Sequence, residues 1–282
     1  MAPRARSDNW LVAIHDEIAT SFGNVAESYD QVRPGPPDAA LDWLVPDGCG
    51  VAVDLAAGTG LFTRALLGRA TQVIAVEPDP RMREVLARRS PDVDVREGYG
   101  EAMPLPDGAA DAVFVSTAWH WFDLPAAVPE IARVLRPGGR LGVIWTSRNR
   151  DEDWVAELDL LRLDGVGESG AQGGEPRTAD AVRERLDRHH TVTLPEGSAF
   201  GQGETASFRF RRTMPLDGVL QWLATNSAFI TASAADREAG LGRCRAALAG
   251  HAVPGTRADG FAAGEPVIDM PMRSWCWRTE RR

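Results

Sequence analysis

Two carboxylates flanking a glycine turn are the residues in this chain best suited to hold a ligand. The stretch VAVDLAAGTG at 51–60 carries Asp54, then Gly58 and Gly60. Glycines at such a turn adopt positive φ and let a ligand approach the backbone closely. Glu77 closes the next apolar run, QVIAVE at 72–77, about 20 residues after the turn, the spacing at which an acid reaches ribose hydroxyls. A carboxylate accepts two hydrogen bonds from a cis-diol in one plane. The bland alternatives are a tight strand–helix turn and a solvated acid at a strand end. A second group is STAWHWFD at 116–123, where Trp119, His120 and Trp121 offer flat apolar walls and one group that titrates near neutral pH.

The elements that must position these groups follow from the hydrophobic pattern. Residues 51–55 form a short, mostly β-branched run, as in a parallel strand covered on both faces. Apolar residues at helical spacing follow over 60–68, with Gly68 as the stop. Strands are predicted at 72–77, 93–96, 111–116 and 140–145, and helices at 79–89 and 124–135. Pro137-Gly-Gly139 is read as a turn. Strands alternating with helices imply a parallel, doubly wound sheet with right-handed crossovers. Such sheets bind ligands at the carboxyl ends of their strands. A helix over 37–44 with Asp38 as its cap precedes the first strand.

The ends of the chain are read more coarsely. Residues 10–14 form a short docking helix, and 21–33 a helix with Phe22, Ala26, Tyr29 and Arg33 on one face. Helices are predicted at 152–163, 179–187, 215–231 and 236–248, the last burying Leu241 and Leu248. A Gly-rich loop spans 164–176, and strands are predicted at 207–213 and 267–278. The domain reading is a helical cap at 1–42, a cofactor-binding core at 43–148, an insertion at 149–206 and a completing segment at 207–282.

The turn argues against a dinucleotide. A G-x-G-x-x-G pattern would put a third small residue at position 63, which holds the bulky Thr63. Asp54 would also repel a pyrophosphate, whereas a ligand carrying an ammonium and a sulfonium would welcome it.

Taken in order, the motifs DLAAGTG at 54–60, VEPD at 76–79 and LRPGGRL at 135–141 resemble those of class I S-adenosylmethionine-dependent methyltransferases of the small-molecule type. The likeness runs over about residues 20–148. It implies an α/β fold with a Rossmann-like, seven-stranded, mostly parallel sheet, helices on both faces and the last strand antiparallel. It also implies a helical cap and an insertion after strand five, with strands six and seven as an antiparallel hairpin. The implied cofactor is S-adenosyl-L-methionine, leaving S-adenosyl-L-homocysteine as product. Its grips would be Asp54, Ala56, Gly58, Thr59, Gly60, Glu77, Pro78, Tyr99, Gly100, Glu101 and Ser116. At 99 the family more often carries an acidic or amide residue, so Tyr99 either stacks on the adenine or hydrogen-bonds to it. The A-x-H-W-F pattern at 118–122 resembles a subgroup that includes methylases of small carboxylic acids. His120 is then a general base or a pocket residue, with Trp119 and Trp121 as pocket walls. Tyr29 and Arg33 face the substrate or the cofactor from the cap, or else sit on a plain surface helix.

Composition bounds the alternatives. The chain has 282 residues, 44% hydrophobic and 25% charged, which is ordinary for a globular protein. A net charge of −9 disfavours a nucleic-acid partner. Three widely spaced cysteines without a C-x-x-C argue against zinc or a disulfide framework, and no metal is expected. No apolar run reaches membrane-spanning length, and the cytoplasm is the default compartment. The partner expected is a small-molecule substrate, with the protein a monomer or homodimer. Two rival readings stand: an NAD-dependent oxidoreductase, and a non-catalytic S-adenosylmethionine-binding protein.

Overall fold

A computed structural model describes residues 33–163, 178–181, 183–184, 190–225, 229 and 232–282. Tyr29, the helix expected at 10–14, nearly all of that at 21–33 and the loop at 164–176 lie outside the described residues. The helices at 179–187 and 215–231 lie partly outside.

The strands form where the apolar runs are shortest and most branched. They are β1 (Val51–Leu55), β2 (Gln72–Val76), β3 (Asp94–Arg96), β4 (Ala110–Ser116), β5 (Leu135–Arg148), β6 (Glu204–Pro215), β7 (Val253–Pro254) and β8 (Pro266–Glu280). The sheet order is β3-β2-β1-β4-β5-β8-β6, with β7 paired to β8. β1 to β5 run parallel, and β8 is antiparallel to both β5 and β6. The connection from β1 goes outward to β2 and β3, then returns to β4 on the other side. The order therefore reverses between β1 and β4, which is where such a sheet opens a crevice.

The α-helices are α1 (Asp38–Leu44), α2 (Leu61–Leu66), α3 (Pro80–Arg89), α4 (Leu124–Val134), α5 (Asp153–Leu163), α6 (Leu216–Ala224) and α7 (Ala234–Ala249). Alternate residues of β1 serve opposite faces. Val53 and Leu55 join Val128 and Ile131 of α4, while Ala52 joins Leu41 and Leu44 of α1 and Phe62 and Leu66 of α2. A second core gathers α5, α6 and α7 on Met214, Ile268, Met270 and Met272, at the far ends of β6 and β8. Arg148, at the end of β5, reaches this region, pairing with Asp159 of α5 at 2.7 Å and lying over the Trp222 ring of α6.

Four expectations need correction. Among the described residues the sheet has eight strands, because the two residues of β7 add to the edge of β8. Two residues carry no periodic signal. Pro137-Gly-Gly139 does not end a helix and start a separate strand. β5 follows α4 directly, and the register jumps from Ala110↔Leu135 to Ala112↔Arg140, so 136–139 bulge opposite Asp111. Asp38 is not the cap of α1. Pro37 is, extended at φ −74°, and the Asp38 carboxylate pairs with Arg69 at 2.7 Å instead. Finally, β6 and β8 are antiparallel neighbours but no tight hairpin, since α6 and α7 lie between them in the chain.

Candidate active site

The glycine turn begins where β1 leaves the sheet. Ala56, Gly58 and Gly60 all have positive φ, at 57°, 57° and 84°. An alanine there is unusual, since a Cβ costs about 1–2 kcal/mol in the left-handed region. The turn is tied to β2: the Ala57 N–H donates to the Val76 carbonyl at 3.1 Å. α2 then starts from Gly60. A Cβ built on Gly58 would meet nothing within 4 Å among the described residues, which leaves the backbone open to a ligand on that side.

Glu77 faces this turn. It is 6% exposed, and its Oε2 accepts from the Gly58 N–H at 2.8 Å while Oε1 accepts from the Asp79 N–H at 2.8 Å. Each oxygen keeps a lone pair for a further donor. Burial pushes the carboxyl above its usual range, and those two N–H bonds oppose the rise. The loop that carries it is braced by Arg83 of α3, whose Nη1 donates to the Glu77 carbonyl at 2.9 Å and the Pro78 carbonyl at 2.6 Å. Asp79 caps α3 by accepting from the Arg81 N–H at 2.8 Å.

Asp54 is fully buried on β1 between Ala75 and Phe114. Thr63 Oγ1 donates to its Oδ2 at 2.6 Å, and Oδ1 has no partner among the described residues. Burial raises its pKa to about 7; Thr63 opposes the rise and Glu77 adds to it. Thr59, 2% exposed, likewise leaves its Oγ1 without a partner among the described residues. A buried acceptor left unpaired costs free energy unless a ligand supplies the donor. Two such atoms on the turn, beside an uncrowded Gly58, fit a cofactor that brings donors and positive charge.

This placement has a consequence for stability. An aspartate normally titrates near 3.8, so the folded protein holds a proton on Asp54 over the window from about 4 to about 7 that the unfolded chain has lost. Stability of the cofactor-free protein therefore falls as pH rises through that window. Asp54→Asn should remove the fall and be the more stable form at pH 8 by up to about 4 kcal/mol, at 1.36 kcal/mol per pKa unit over about three units. Melting curves of both proteins from pH 4 to 8 check this; parallel curves would rule it out.

The loop after β3 supplies the second wall. Tyr99 and Ala102 exchange backbone hydrogen bonds, and the Tyr99 side chain is exposed. Gly100 is buried against the Phe122 ring, where a Cβ would come within 3.1 Å. Glu101 Oε1 accepts from the Asp123 N–H at 2.9 Å, joining this loop to the segment after β4. Ser116, half-buried, ends β4. Thr117 turns the chain at φ 60°, its N–H held by the Ile144 carbonyl at 2.8 Å. Trp119–Trp121 is a 3₁₀ turn. Trp119 is buried in the main core with its indole N–H unpartnered among the described residues, and its ring sits edge-on to Phe122. His120 is exposed and lies against the half-buried Trp121, ring centroids 4.7 Å apart.

The structure thus joins Asp54, Gly58, Thr59, Gly60, Glu77 and Pro78 into one bonded unit, and Tyr99, Gly100 and Glu101 with 119–123 into another. Both sit on the carboxyl ends of β1 to β4. Arg33 donates to Thr225 Oγ1 at 3.4 Å and the Thr225 carbonyl at 3.3 Å, at the end of α6. Thr63 and Arg83 are the residues that sequence reasoning missed. Thr63 carried a signal, a hydroxyl where a dinucleotide turn wants a small residue. Arg83 carried none, since it acts on backbone carbonyls.

The Methyltransferase domain family matches residues 53–143. An uncharacterized methyltransferase of Mycobacterium tuberculosis is 38% identical over 235 residues, covering 83% of this chain and 88% of that protein. The malonyl-[acyl-carrier protein] O-methyltransferase of Serratia marcescens is 36% identical over 129 residues, 43% of this chain and 49% of that one. A solved structure assigned as a type II methyltransferase, from Anaeromyxobacter dehalogenans, shares the fold with a TM-score of 0.58 at 24% identity, covering 88% of this chain and 97% of its own. The chain belongs to the class I S-adenosylmethionine-dependent methyltransferases. The dinucleotide oxidoreductase reading gives way to this membership. Among the described residues, no helix is long and apolar enough to cross a membrane.

Proposed function

We propose that the protein moves a methyl group from S-adenosyl-L-methionine to a small-molecule acceptor, by O- or N-methylation, with a carboxylate or an aromatic acceptor favoured. The observation that carries this is the pair of buried carboxylates beside the glycine turn, Asp54 with an oxygen unpartnered among the described residues and Glu77 with two half-used ones. Bound there, the cofactor supplies a methyl already activated on a cationic sulfur. Glu77 and Pro78 hold the ribose end. Asp54, Ala56, Gly58, Thr59 and Gly60 hold the amino-acid end. Tyr99, Gly100, Glu101 and Ser116 flank the base.

The chain's remaining task is to hold the acceptor in line and keep water out. Trp119 and Trp121 shape the acceptor side, with Tyr29 and Arg33 from the N-terminal segment. A carboxylate acceptor is already anionic and needs no base. A phenol or amine benefits from one, and His120, exposed beside Trp121, can take that proton. The Serratia marcescens relative acts on a malonyl group, which carries a carboxylate, and this supports the acid-acceptor reading. A reading based on binding alone, without turnover, has no observation in its favour.

A radiolabelled methyl assay over a panel of small acids, phenols and amines tests the proposal, run with wild type and His120→Ala. Label should pass to at least one acceptor class. If the acceptor is an acid, His120→Ala should leave the rate alone; if a phenol or amine, it should slow it. Tight S-adenosylhomocysteine binding with no transfer to any class would overturn it.

A further inference from the structure

We propose that Thr63 is a positioning residue for the cofactor. Locked on Asp54 Oδ2, its hydroxyl keeps the other oxygen available and the carboxylate ionised, so that affinity near neutral pH depends on it. The inference rests on the reading above that Asp54 meets the amino end of S-adenosylmethionine.

Both side chains are fully buried, and the bond between them is 2.6 Å, within the range of charge-assisted hydrogen bonds. The rest of the surroundings give Asp54 little help. Its neighbours across the sheet, Ala75 and Phe114, are apolar. The charged group bearing on it from the end of β2 is Glu77, which is repulsive. Arg64, the cation on α2, directs a nitrogen to the Thr59 carbonyl at 3.0 Å. Burial and Glu77 thus both favour the protonated form, and Thr63 is what opposes them, through its hydroxyl and more weakly through its backbone N–H. A protonated Asp54 offers no charge to a ligand ammonium.

The spacing makes the contact possible. Thr63 is the third residue of α2, one turn in from Gly60, and α2 starts within the turn that leaves β1. The helix therefore carries position 63 back over the strand end. The glycine that a dinucleotide turn places here could not supply the bond. A β-branched hydroxyl supplies it with a side chain of few rotamers.

Valine has the shape of threonine without the hydroxyl. Binding of S-adenosylhomocysteine is measured by titration calorimetry from pH 5.5 to 9 on wild type, Thr63→Val, Thr63→Ser and Asp54→Asn. The ligand's own titration is common to all four and cancels. Wild-type affinity should fall as pH falls through the Asp54 range. In Thr63→Val that fall should begin about one pH unit higher, with affinity at pH 7 about tenfold weaker, as expected for one charged hydrogen bond. Thr63→Ser should restore the wild-type profile, and Asp54→Asn should bind weakly with no such step. Thr63→Ala, which also lacks the hydroxyl, serves if the valine variant does not fold. A step at the wild-type pH in Thr63→Val or Thr63→Ala, with Asp54→Asn weakened, would reduce Thr63 to packing and overturn the inference. Wild-type affinity in Asp54→Asn would instead overturn the placement of the cofactor itself.

Discussion

Glu77→Ala should weaken S-adenosylhomocysteine binding about 100-fold or more, while the protein still folds. The ribose diol would donate two hydrogen bonds to one carboxylate, and each bond to a charged group is worth about 1.5–3 kcal/mol. The same carboxylate also accepts from the N–H groups of Gly58 and Asp79, so the variant releases the turn and the start of α3 together. Glutamine does not rescue this well. Both carboxylate oxygens meet backbone donors, and an amide nitrogen must face one of them. The fold tolerates the change better than the site does. Removing a carboxylate that burial already disfavours relieves a cost, which offsets the two N–H groups left unpaired. Calorimetry together with a melting curve decides it. Wild-type affinity in a folded Glu77→Ala protein would remove the ribose assignment.

The expectations that held are those where one short run answers to one physical demand. β1, β2 and β4 are brief apolar stretches that a sheet covered on both faces requires, and each stops at Leu55, Val76 or Ser116, where the polar chemistry begins. The acid after β2 was legible for the same reason, because its place follows from strand length and helix crossover. What stayed hidden depends on partners distant in sequence. β5 begins at Leu135 because Ala110 of β4 accepts it there, and the Pro-Gly-Gly segment is absorbed as a bulge against Asp111. Asp38 carries the sequence mark of a cap, yet Pro37 occupies that position and Arg69 draws the carboxylate away. Arg33 meets Thr225 from 192 residues away, which no local pattern encodes. Within the site, Thr63 was noticed for what it excludes; its bond to Asp54 emerged only once α2 was laid back across the strand.

The two glycines of the turn should separate binding from folding. Gly58→Ala and Gly60→Ala introduce the same methyl at positive φ, 57° and 84°, so both pay the left-handed penalty of about 1 kcal/mol. They differ in what the methyl meets. At Gly60 it would lie 2.7 Å from Leu86 Cγ, on the buried face of α3, and overpacking of that kind adds about 1–3 kcal/mol. At Gly58 it would meet no atom of the described residues within 4 Å. It would project instead into the space where the proposed cofactor crosses the turn. Gly60→Ala should therefore melt clearly below Gly58→Ala. Gly58→Ala should melt within a few degrees of wild type, at about 2–4 °C per kcal/mol for a chain of this size, yet lose about 100-fold or more in affinity for S-adenosylhomocysteine. The same pair of measurements, melting temperature and calorimetric affinity, is made on both variants. A Gly58→Ala protein that binds as wild type does would mean that the ligand does not cross this turn, and the site would have to be sought elsewhere on the sheet.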